Sequence, residues 1–453
     1  MKSQALQDLV KKIFSDEKTK SEFLSNPDSV LARFNLTEQE KRILDGKHGE
    51  AERIALSVLV DLGELFGAEE MMEVSQVHID SSAYMVDAGL EFVERLVELG
   101  AKVAVPTSLN ISAIDLERWK EYRVPPELLE KSRRMERAYH KMGATPTWTC
   151  APYQQGMIPR FGEQIAWGES NAIAFANSII GARTNRYGDL MDICASIIGK
   201  VPRFGLHLTE NRKAEVLIKL RGVTDKMFED KAIYPLLGFL LGEMAKDRVA
   251  AIEGIPQNLK IDDLKGFSAA AASSGAVGLF HIIGVTPEAQ TIEMCFQNSI
   301  PKEVLEISPA MIQNVEQRLW TAKGDRVDLV AIGCPHFSFA EFKDLAQLIK
   351  SRKIHEAITF WVFTSRTIYG WIQNCGIIKN LTDLGIMVFT DGCPLQYPQQ
   401  NWHFTAMMTN SAKLANYCYS QTGLEVAYGS LQECVDTAVE GKICLRNSPW
   451  RRY

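Results

Sequence analysis

The C-terminal third of the chain contains the pattern that most restricts the fold. Continuous apolar runs at residues 327–333 (VDLVAIG), 356–364 (EAITFWVFT) and 386–392 (IMVFTDG) are typical of strands that are buried on both faces. Helical patterns follow the first two runs, at residues 339–351 and 366–385. Because strands and helices alternate in this way, the sequence predicts a doubly wound parallel sheet.

The same alternation extends towards the N-terminus from residue 36. We predict further strands at residues 71–79 (MMEVSQVHI), 101–110 (AKVAVPTSLN) and 145–153 (TPTWTCAPY), with helices between them, one of them at residues 115–123 (DLERWKEYR). The alternation therefore predicts an α/β fold with a parallel-sheet core.

The chain divides into a short N-terminal segment and a main region. Residues 1–35 have apolar side chains at helical spacing and a turn at Asn26-Pro27, and they are expected to form a short helical extension. The main region, residues 36–453, is divided into three subdomains. Their approximate ranges are 36–205, 206–325 and 326–453.

Composition excludes several classes of protein. The 453 residues are 46% hydrophobic and 23% charged, as in a globular protein of about three domains. A net charge of −6 without a basic stripe argues against nucleic acid as a partner. No secretory signal precedes the first helix, so a cytoplasmic protein is expected. Residues 266–284 are too polar to span a membrane, and we interpret them as a buried helix.

Three of the nine cysteines stand apart from the rest. The odd count and the absence of a Cys-x-x-Cys motif indicate reduced thiols, most of which should be small buried side chains. Cys150, Cys334 and Cys393, however, follow predicted strands, and a proline comes shortly after each of them. Ligands of open α/β sheets bind beyond the carboxyl ends of the strands. These three thiols are therefore candidates for chemistry.

The spacing of these cysteines leaves three interpretations open. Three thiolates can hold an iron–sulfur cluster and leave one iron open as a Lewis acid for substrate. Alternatively, Cys334 could act as a nucleophile with His336 as its base. The third interpretation is that the thiols are buried and inert.

Other polar residues occupy comparable positions in the predicted sheets. His78 and Ser81 follow the first predicted strand, and Thr107 lies at the end of the second. Ser170 and Asn171 begin an alanine-rich helix within residues 167–189.

Arg183 and Asn185 come after that helix. Arginine is suited to bidentate binding of a carboxylate, but a basic residue that complements the helix dipole accounts for the pattern equally well. The stretch at residues 270–281 could begin an anion-binding helix, although close packing through small residues is favoured. His207, His281 and His403 are interpreted as structural hydrogen-bonding residues.

Six ordered motifs resemble one known family, aconitase X, from about Leu36 to the C-terminus. The motifs are TCAPY (149–153), ESNAIAFANSIIGARTNRYGD (169–189), GLHLTENR (205–212), ASSGAVGLFHIIGVTPEA (272–289), GCPHFS (333–338) and MTNSAKLANY (408–417). Departures occur at Ala151, where several relatives have threonine, and at Gln154-Gln155.

The resemblance implies an aconitase-like fold of three α/β domains with parallel-sheet cores, and an iron-dependent hydro-lyase that dehydrates a β-hydroxy carboxylate. The cofactor would be iron or an iron–sulfur cluster, such as a 4Fe–4S cluster with one open iron, held by Cys150, Cys334 and Cys393. The family also has a small swivelling domain that is fused or separate. We expect it here as a separate subunit, which would carry the catalytic serine base.

The resemblance also suggests substrates. Family members dehydrate cis-3-hydroxy-L-proline to pyrroline-2-carboxylate or, in archaea, dehydrate mevalonate 5-phosphate. The stretch NRYGDLMDIC (185–194) is closer to the bacterial pattern than to the archaeal NREGGP, which favours hydroxyproline. A cysteine-nucleophile enzyme and a non-catalytic partner subunit remain the rival hypotheses.

Roles for the candidate residues complete the hypothesis. The catalytic candidates are Ser170, Asn171 and His336. The substrate-binding candidates are His78, Ser81, Thr107, Arg183, Asn185, Ser411 and Lys413.

Overall fold

The computed structural model describes residues 35–398 and 401–453. The predicted helical extension at residues 1–35 therefore lies outside the described residues, except for Asn35. Each of the three sequence regions of the main part contains its own parallel sheet.

The first region builds a three-stranded parallel sheet with the order β3-β2-β4. Its helices are α1 (Glu38–Leu44), α2 (Glu50–Leu65), α3 (Asp87–Glu98), α4 (Pro126–Met142), α5 (Ser170–Phe175) and α6 (Met191–Ile198). Its strands are β1 (Met71–Glu73), β2 (Val77–Ile79), β3 (Thr107–Leu109), β4 (Ala166–Trp167) and β5 (Lys200–Pro202). Strands β1 and β5 pair separately as an antiparallel ribbon.

The second region builds a four-stranded parallel sheet with the order β8-β7-β6-β9. Its strands are β6 (Val216–Leu220), β7 (Ala250–Glu253), β8 (Phe280–Ile282) and β9 (Glu303–Ile307). Its helices are α7 (Ile233–Ala245), α8 (Ile261–Ser274), α9 (Ile292–Cys295) and α10 (Pro309–Arg318).

The third region builds a five-stranded parallel sheet with the order β12-β11-β10-β13-β14. Its strands are β10 (Leu329–Ile332), β11 (Thr359–Thr364), β12 (Ile386–Thr390), β13 (Ala406–Thr409) and β14 (Glu425–Tyr428). Its helices are α11 (Phe339–Ile349), α12 (Arg366–Asn374), α13 (Ile377–Asp383), α14 (Ala412–Thr422) and α15 (Leu431–Glu440).

Both faces of the third sheet are buried, as the apolar runs predict. Leu329 and Ala331 of β10 pack in the large core that reaches across all three regions. Val330 and Ile332, which point to the opposite face, pack in a second core beneath α11 and α15. The α/β class and the parallel sheets are therefore confirmed.

Helices α7 and α8 pack unusually closely. Gly238 and Gly242 lie one turn apart on α7, so they share a face. A Cβ added to Gly238 would lie 2.3 Å from the carbonyl oxygen of Phe267, and one added to Gly275 would lie 2.2 Å from that of Gly242. Only glycine allows the two backbones to approach to this distance.

This packing corrects the prediction for residues 266–284. The segment is not one buried helix, because α8 ends at Ser274 and β8 begins at Phe280. An anion-binding helix start at residues 270–281 is also wrong, since Ser273 and Ser274 form the end of a helix. The favoured alternative, close packing through small residues, is confirmed.

Three further predictions of local structure are wrong. Residues 115–123 form turns and not a helix, because the Asp115 carboxylate accepts hydrogen bonds from the backbone N–H groups of Glu117 (3.0 Å) and Arg118 (2.8 Å). The 71–79 stretch divides into two strands of different sheets. The short strand predicted at the start of the 145–153 stretch is only one isolated bridge, between Ser108 and Thr145, although Cys150 does lie in the loop that was predicted to follow it.

No helix among the described residues is long and apolar enough to cross a lipid bilayer.

Candidate active site

Three loops bring the candidate cysteines towards one another. Cys334 follows β10, and Cys393 follows β12 at the same edge of the third sheet. Cys150 comes from the first region, immediately before a short 3-10 turn at Pro152–Gln154. All three residues are half-buried and none is in a disulfide. The first and third regions of the chain therefore meet where these three loops come together.

The pKa values of the three thiols depend on burial, on one another and on a neighbouring ion pair. Burial raises the pKa of Cys393 to about 12, and the neighbouring Cys334 adds to the shift. Burial likewise raises the pKa of Cys150, with further contributions from Glu169 and Cys334. The Lys413 ammonium opposes all of these shifts. Burial thus disfavours the thiolate forms, and the Lys413 charge is the neighbouring charge that favours all three of them.

His336 touches all three cysteine loops. Its backbone N–H donates to Cys150 Sγ at 3.3 Å, and its ring Nδ1 lies 3.1 Å from the hydroxyl of Thr149. The other ring nitrogen, Nε2, lies 2.8 Å from the carbonyl oxygen of Gly392. Burial lowers the pKa of His336 to about 4, so the ring is neutral.

This geometry weighs against the cysteine-nucleophile hypothesis. Because the Gly392 carbonyl only accepts, Nε2 carries the ring proton, and Nδ1 accepts from Thr149. Both ring nitrogens are then occupied by groups other than the Cys334 thiol. A histidine base needs a free nitrogen within reach of its nucleophile.

A buried ion pair lies beside the thiols. Lys413 Nζ is 2.5 Å from Glu169 Oε1, and the side chain of Glu169 is 7% exposed. Although burial alone would lower the pKa of Lys413, Glu169 and the thiols of Cys334 and Cys150 raise it, so the ammonium is charged. This ion pair thus joins the motif at residues 169–189 to the motif at residues 408–417.

The first turn of α5 connects this pair to the Cys150 loop. Glu169 is the N-cap of α5 and accepts a hydrogen bond from the backbone of Ala172 at 2.8 Å. The Asn171 amide bonds the same carboxylate and donates to the carbonyl oxygen of Cys150 at 3.1 Å. Ser170 is the first residue of α5. Ser411, the N-cap of α14, hydrogen-bonds the Cys334 thiol.

The other sequence-predicted residues lie in different surroundings. His78 is fully buried, with Nδ1 2.8 Å from Ser108 Oγ, and the Thr107 hydroxyl donates to the carbonyl oxygen of Val105. The Ser81 hydroxyl lies 3.4 Å from Asp192 Oδ1. These three residues pack around β2 and β3, and the His78 ring also lies close to the backbone of Thr149, the residue before Cys150.

Arg183 and Asn185 stabilise a neighbouring loop. The Arg183 guanidinium donates to Thr209 Oγ1 at 2.8 Å. Asn185 accepts from the backbone of Leu206 at 2.7 Å and donates to Phe204. Their side chains thus bind residues 204–209, and their part in substrate binding stays a prediction.

Sequence reasoning missed a second buried ion cluster, around Lys265. Its ammonium donates to the carbonyl oxygen of His336 at 3.1 Å, lies 3.0 Å from Asp262 and contacts Glu341. Burial raises the pKa of Glu341 to about 7, although Lys265 opposes the shift. A lysine directly before the small and apolar residues of α8 was the available signal.

Two carboxylates near β2 were also missed. Asp80 and Asp192 are joined through the backbone N–H of Asp80, which lies 2.5 Å from Asp192 Oδ2. Burial raises the pKa of Asp192 to about 7 and, with the charges of Glu169 and Asp192, raises that of Asp80. Asp80 directly follows the predicted strand at residues 71–79, but nothing in the local sequence marks its pairing with Asp192, because their proximity depends on Gly168, where a Cβ would contact both.

A cavity of about 600 Å³ lies between the second and third regions and reaches the Cys334 loop. Cys334 and Ser411 are among its lining residues, together with Lys265 and Glu341. A space of this size holds a small-molecule substrate.

The donor chemistry fits an iron–sulfur group better than a single ion. Among the described residues, no three His, Cys, Asp or Glu side chains are close enough to share one metal ion. Three converging thiols on separate loops are the ligand type that iron–sulfur clusters use.

Comparison with known proteins identifies the family. Models of the aconitase X first, second and third domains match residues 33–210, 214–317 and 327–440. A crystal structure of Thermococcus kodakaraensis aconitase X, holo-form, aligns with a TM-score of 0.81 and 31% identity over 89% of this chain and 100% of that one. The chain belongs to the aconitase X family. It is therefore a hydro-lyase of the aconitase superfamily.

Curated relatives in this family are named dehydratases. A cis-3-hydroxy-L-proline dehydratase of Pseudomonas aeruginosa is 41% identical over 406 residues, which are 89% of this chain and 70% of the relative. One of Hypocrea jecorina is 38% identical, with 90% and 69% covered. A phosphomevalonate dehydratase large subunit of Methanocaldococcus jannaschii is 36% identical, with 88% and 98% covered.

Proposed function

We propose that this aconitase X chain dehydrates cis-3-hydroxy-L-proline to pyrroline-2-carboxylate. The observation that carries this choice is the charge of the cavity beside Cys334. It is lined by five basic and six acidic side chains: Lys226, Lys231, Lys260, Lys265, Arg446, Glu229, Asp230, Asp262, Asp263, Glu341 and Asp344. A balanced lining suits a zwitterion, whereas a phosphate dianion favours a basic one. Relatives of this name at 41% and 38% identity support the proposal.

Cys150, Cys334 and Cys393 would hold the iron or iron–sulfur cofactor. When bound, an open iron supplies a Lewis acid for the β-hydroxyl group. Lys413 counters the negative charge of the thiolates, and its pairing with Glu169 fixes the position of the ammonium. The Asn171 amide orients the Cys150 loop by donating to the carbonyl oxygen of Cys150.

The remaining groups would bind and orient the substrate. Dehydration removes a proton from the carbon next to the carboxylate and the hydroxyl from the following carbon. Ser411 and the first turn of α5, which includes Ser170, offer hydroxyl groups near the cysteine loops for the carboxylate. We assign the proton-abstracting base to a partner, because His336 has both ring nitrogens occupied.

That partner is proposed to be a separate small subunit with the swivelling domain. Support comes from the archaeal relatives, which are named large subunits and are covered over 97–99% of their length by this chain. We place the enzyme in the cytoplasm, because its nine unpaired cysteines suit a reducing compartment.

The test of function uses the chain co-expressed with its small subunit and purified without oxygen. Iron and sulfide are assayed, and pyrroline-2-carboxylate formation from cis-3-hydroxy-L-proline is followed. The double variant Cys334→Ser/Cys393→Ser should lose iron and activity, whereas Cys375→Ser, at an exposed thiol, should keep both. Full iron content in the double variant would refute the ligand assignment.

A second candidate substrate is mevalonate 5-phosphate. It is favoured by the five large-subunit relatives, which are 32–36% identical to this chain. Turnover of mevalonate 5-phosphate and none of hydroxyproline would reverse the order of the two proposals.

A further inference from the structure

The three cysteine loops share one common contact, His336. It lies in the Cys334 loop itself, two residues after the thiol. Through its backbone and Nδ1 it contacts Cys150 Sγ (3.3 Å) and the Thr149 hydroxyl (3.1 Å). Through Nε2 it contacts the carbonyl oxygen of Gly392 (2.8 Å), the residue immediately before Cys393.

These contacts are directional and fully buried. His336 is 1% exposed and Thr149 is 0% exposed, so water does not replace either hydrogen bond. Nε2–H donates to Gly392 while Nδ1 accepts from Thr149, so the two bonds require the two different nitrogens of one neutral tautomer. The His336 carbonyl oxygen is held in turn by Lys265 Nζ at 3.1 Å.

We propose that His336 is a positioning residue that locks the Cys150, Cys334 and Cys393 loops together and so presets the cofactor site. The expected effect on cofactor binding rests on the proposed function, whereas the locking of the loops does not. Residues that orient metal ligands from outside the coordination sphere commonly control affinity by 10- to 100-fold. His336 would do so for three ligands from two regions of the chain.

The test compares His336→Ala, His336→Gln and the control His140→Ala, at an exposed histidine of α4. The glutamine amide can still donate to Gly392. The first readout is iron and sulfide per chain. The second, on chain freed of iron, is the rate at which iodoacetamide alkylates each cysteine, measured by mass spectrometry. The exposed Cys375 is the internal reference.

We expect His336→Ala to lose at least ten-fold in iron content and to speed alkylation of Cys150, Cys334 and Cys393 together by about ten-fold or more. Cys375 should react as in the wild type, and His336→Gln should recover most of the loss. Unchanged alkylation of all three thiols in His336→Ala would overturn the inference.

A second variant covers the case in which His336→Ala does not fold. Thr149→Val keeps the side-chain shape but removes the hydroxyl that donates to Nδ1. It should speed alkylation of Cys150 more than of Cys393, and equal or absent effects would count against the proposal. If the wild-type chain binds no iron, the cofactor proposal fails, while the alkylation pattern still decides the role of His336.

Discussion

The contact between α7 and α8 gives a prediction whose sign depends on backbone geometry. Gly238 lies in the middle of α7, so replacing it with alanine would gain about 1 kcal/mol of helix propensity if space allowed. The new Cβ, however, would lie 2.3 Å from the carbonyl oxygen of Phe267 and 2.9 Å from its Cα. Both neighbours are backbone atoms, so a whole helix has to shift by about 1 Å.

Forced expansion of a packed core costs about 1–3 kcal/mol and occasionally more. Because the clash at Gly238 is with backbone on a buried helix, we expect the upper part of that range and a net destabilisation of about 2 kcal/mol for Gly238→Ala. Gly370, in the middle of α12, is the matched control, since nothing lies within 4 Å of its added Cβ. Gly370→Ala should stabilise by about 0.5–1 kcal/mol.

The assay is urea unfolding followed by circular dichroism, with wild type and both variants under one set of conditions. The free energy of unfolding should change in opposite directions for the two substitutions. If Gly238→Ala stabilised the chain as Gly370→Ala does, the two helices would not be in the close contact described.

Three further predictions concern charged groups. Lys265→Met leaves the carboxylates of Asp262 and Glu341 without their cation and should lower the free energy of urea unfolding by about 3–5 kcal/mol. The control Lys219→Met, at an exposed ion pair, should lower it by less than about 1 kcal/mol. Equal losses in the two variants would contradict the buried cluster. Burial raises the pKa of Asp192 to about 7 in the folded chain, whereas an unfolded aspartate ionises near pH 4. The free energy of unfolding should therefore fall as pH rises between these two values, by up to about 1.4 kcal/mol per pH unit. Asp192→Asn should remove this part of the slope, and parallel pH profiles would refute it. Lys413→Met should lower kcat/KM at least 100-fold with the circular dichroism spectrum unchanged, and near-normal turnover would exclude Lys413 from the site.

The sequence predicted the third sheet well because its strands are apolar without interruption. Strands β10, β11 and β12 are buried on both faces, and apolar runs of this length bounded by turn residues are typical of such strands. The predicted helix after β11 was less accurate, since Gly376, with φ +73°, divides it into α12 and α13. In the first region the strands have only two or three residues, too few for a reliable periodic signal.

The site was predictable where residue type alone carried the signal. Cysteines beside prolines marked the three loops, and the motif with Lys413 marked the neighbouring helix. The pairings of Glu169, Asp80 and Lys265 were missed because they depend on burial and on partners more than 70 residues away. Such contacts are properties of the folded chain and leave no local pattern.

The distribution of the cysteine loops has a consequence for the assembly of the enzyme. Metal motifs with short ligand spacing can capture their ion on a nascent chain, before the rest has folded. Here the thiols are separated by 184 and 59 positions (150, 334 and 393) and meet only when the first region contacts the third. Insertion of the proposed cofactor would therefore come last, into an already folded chain.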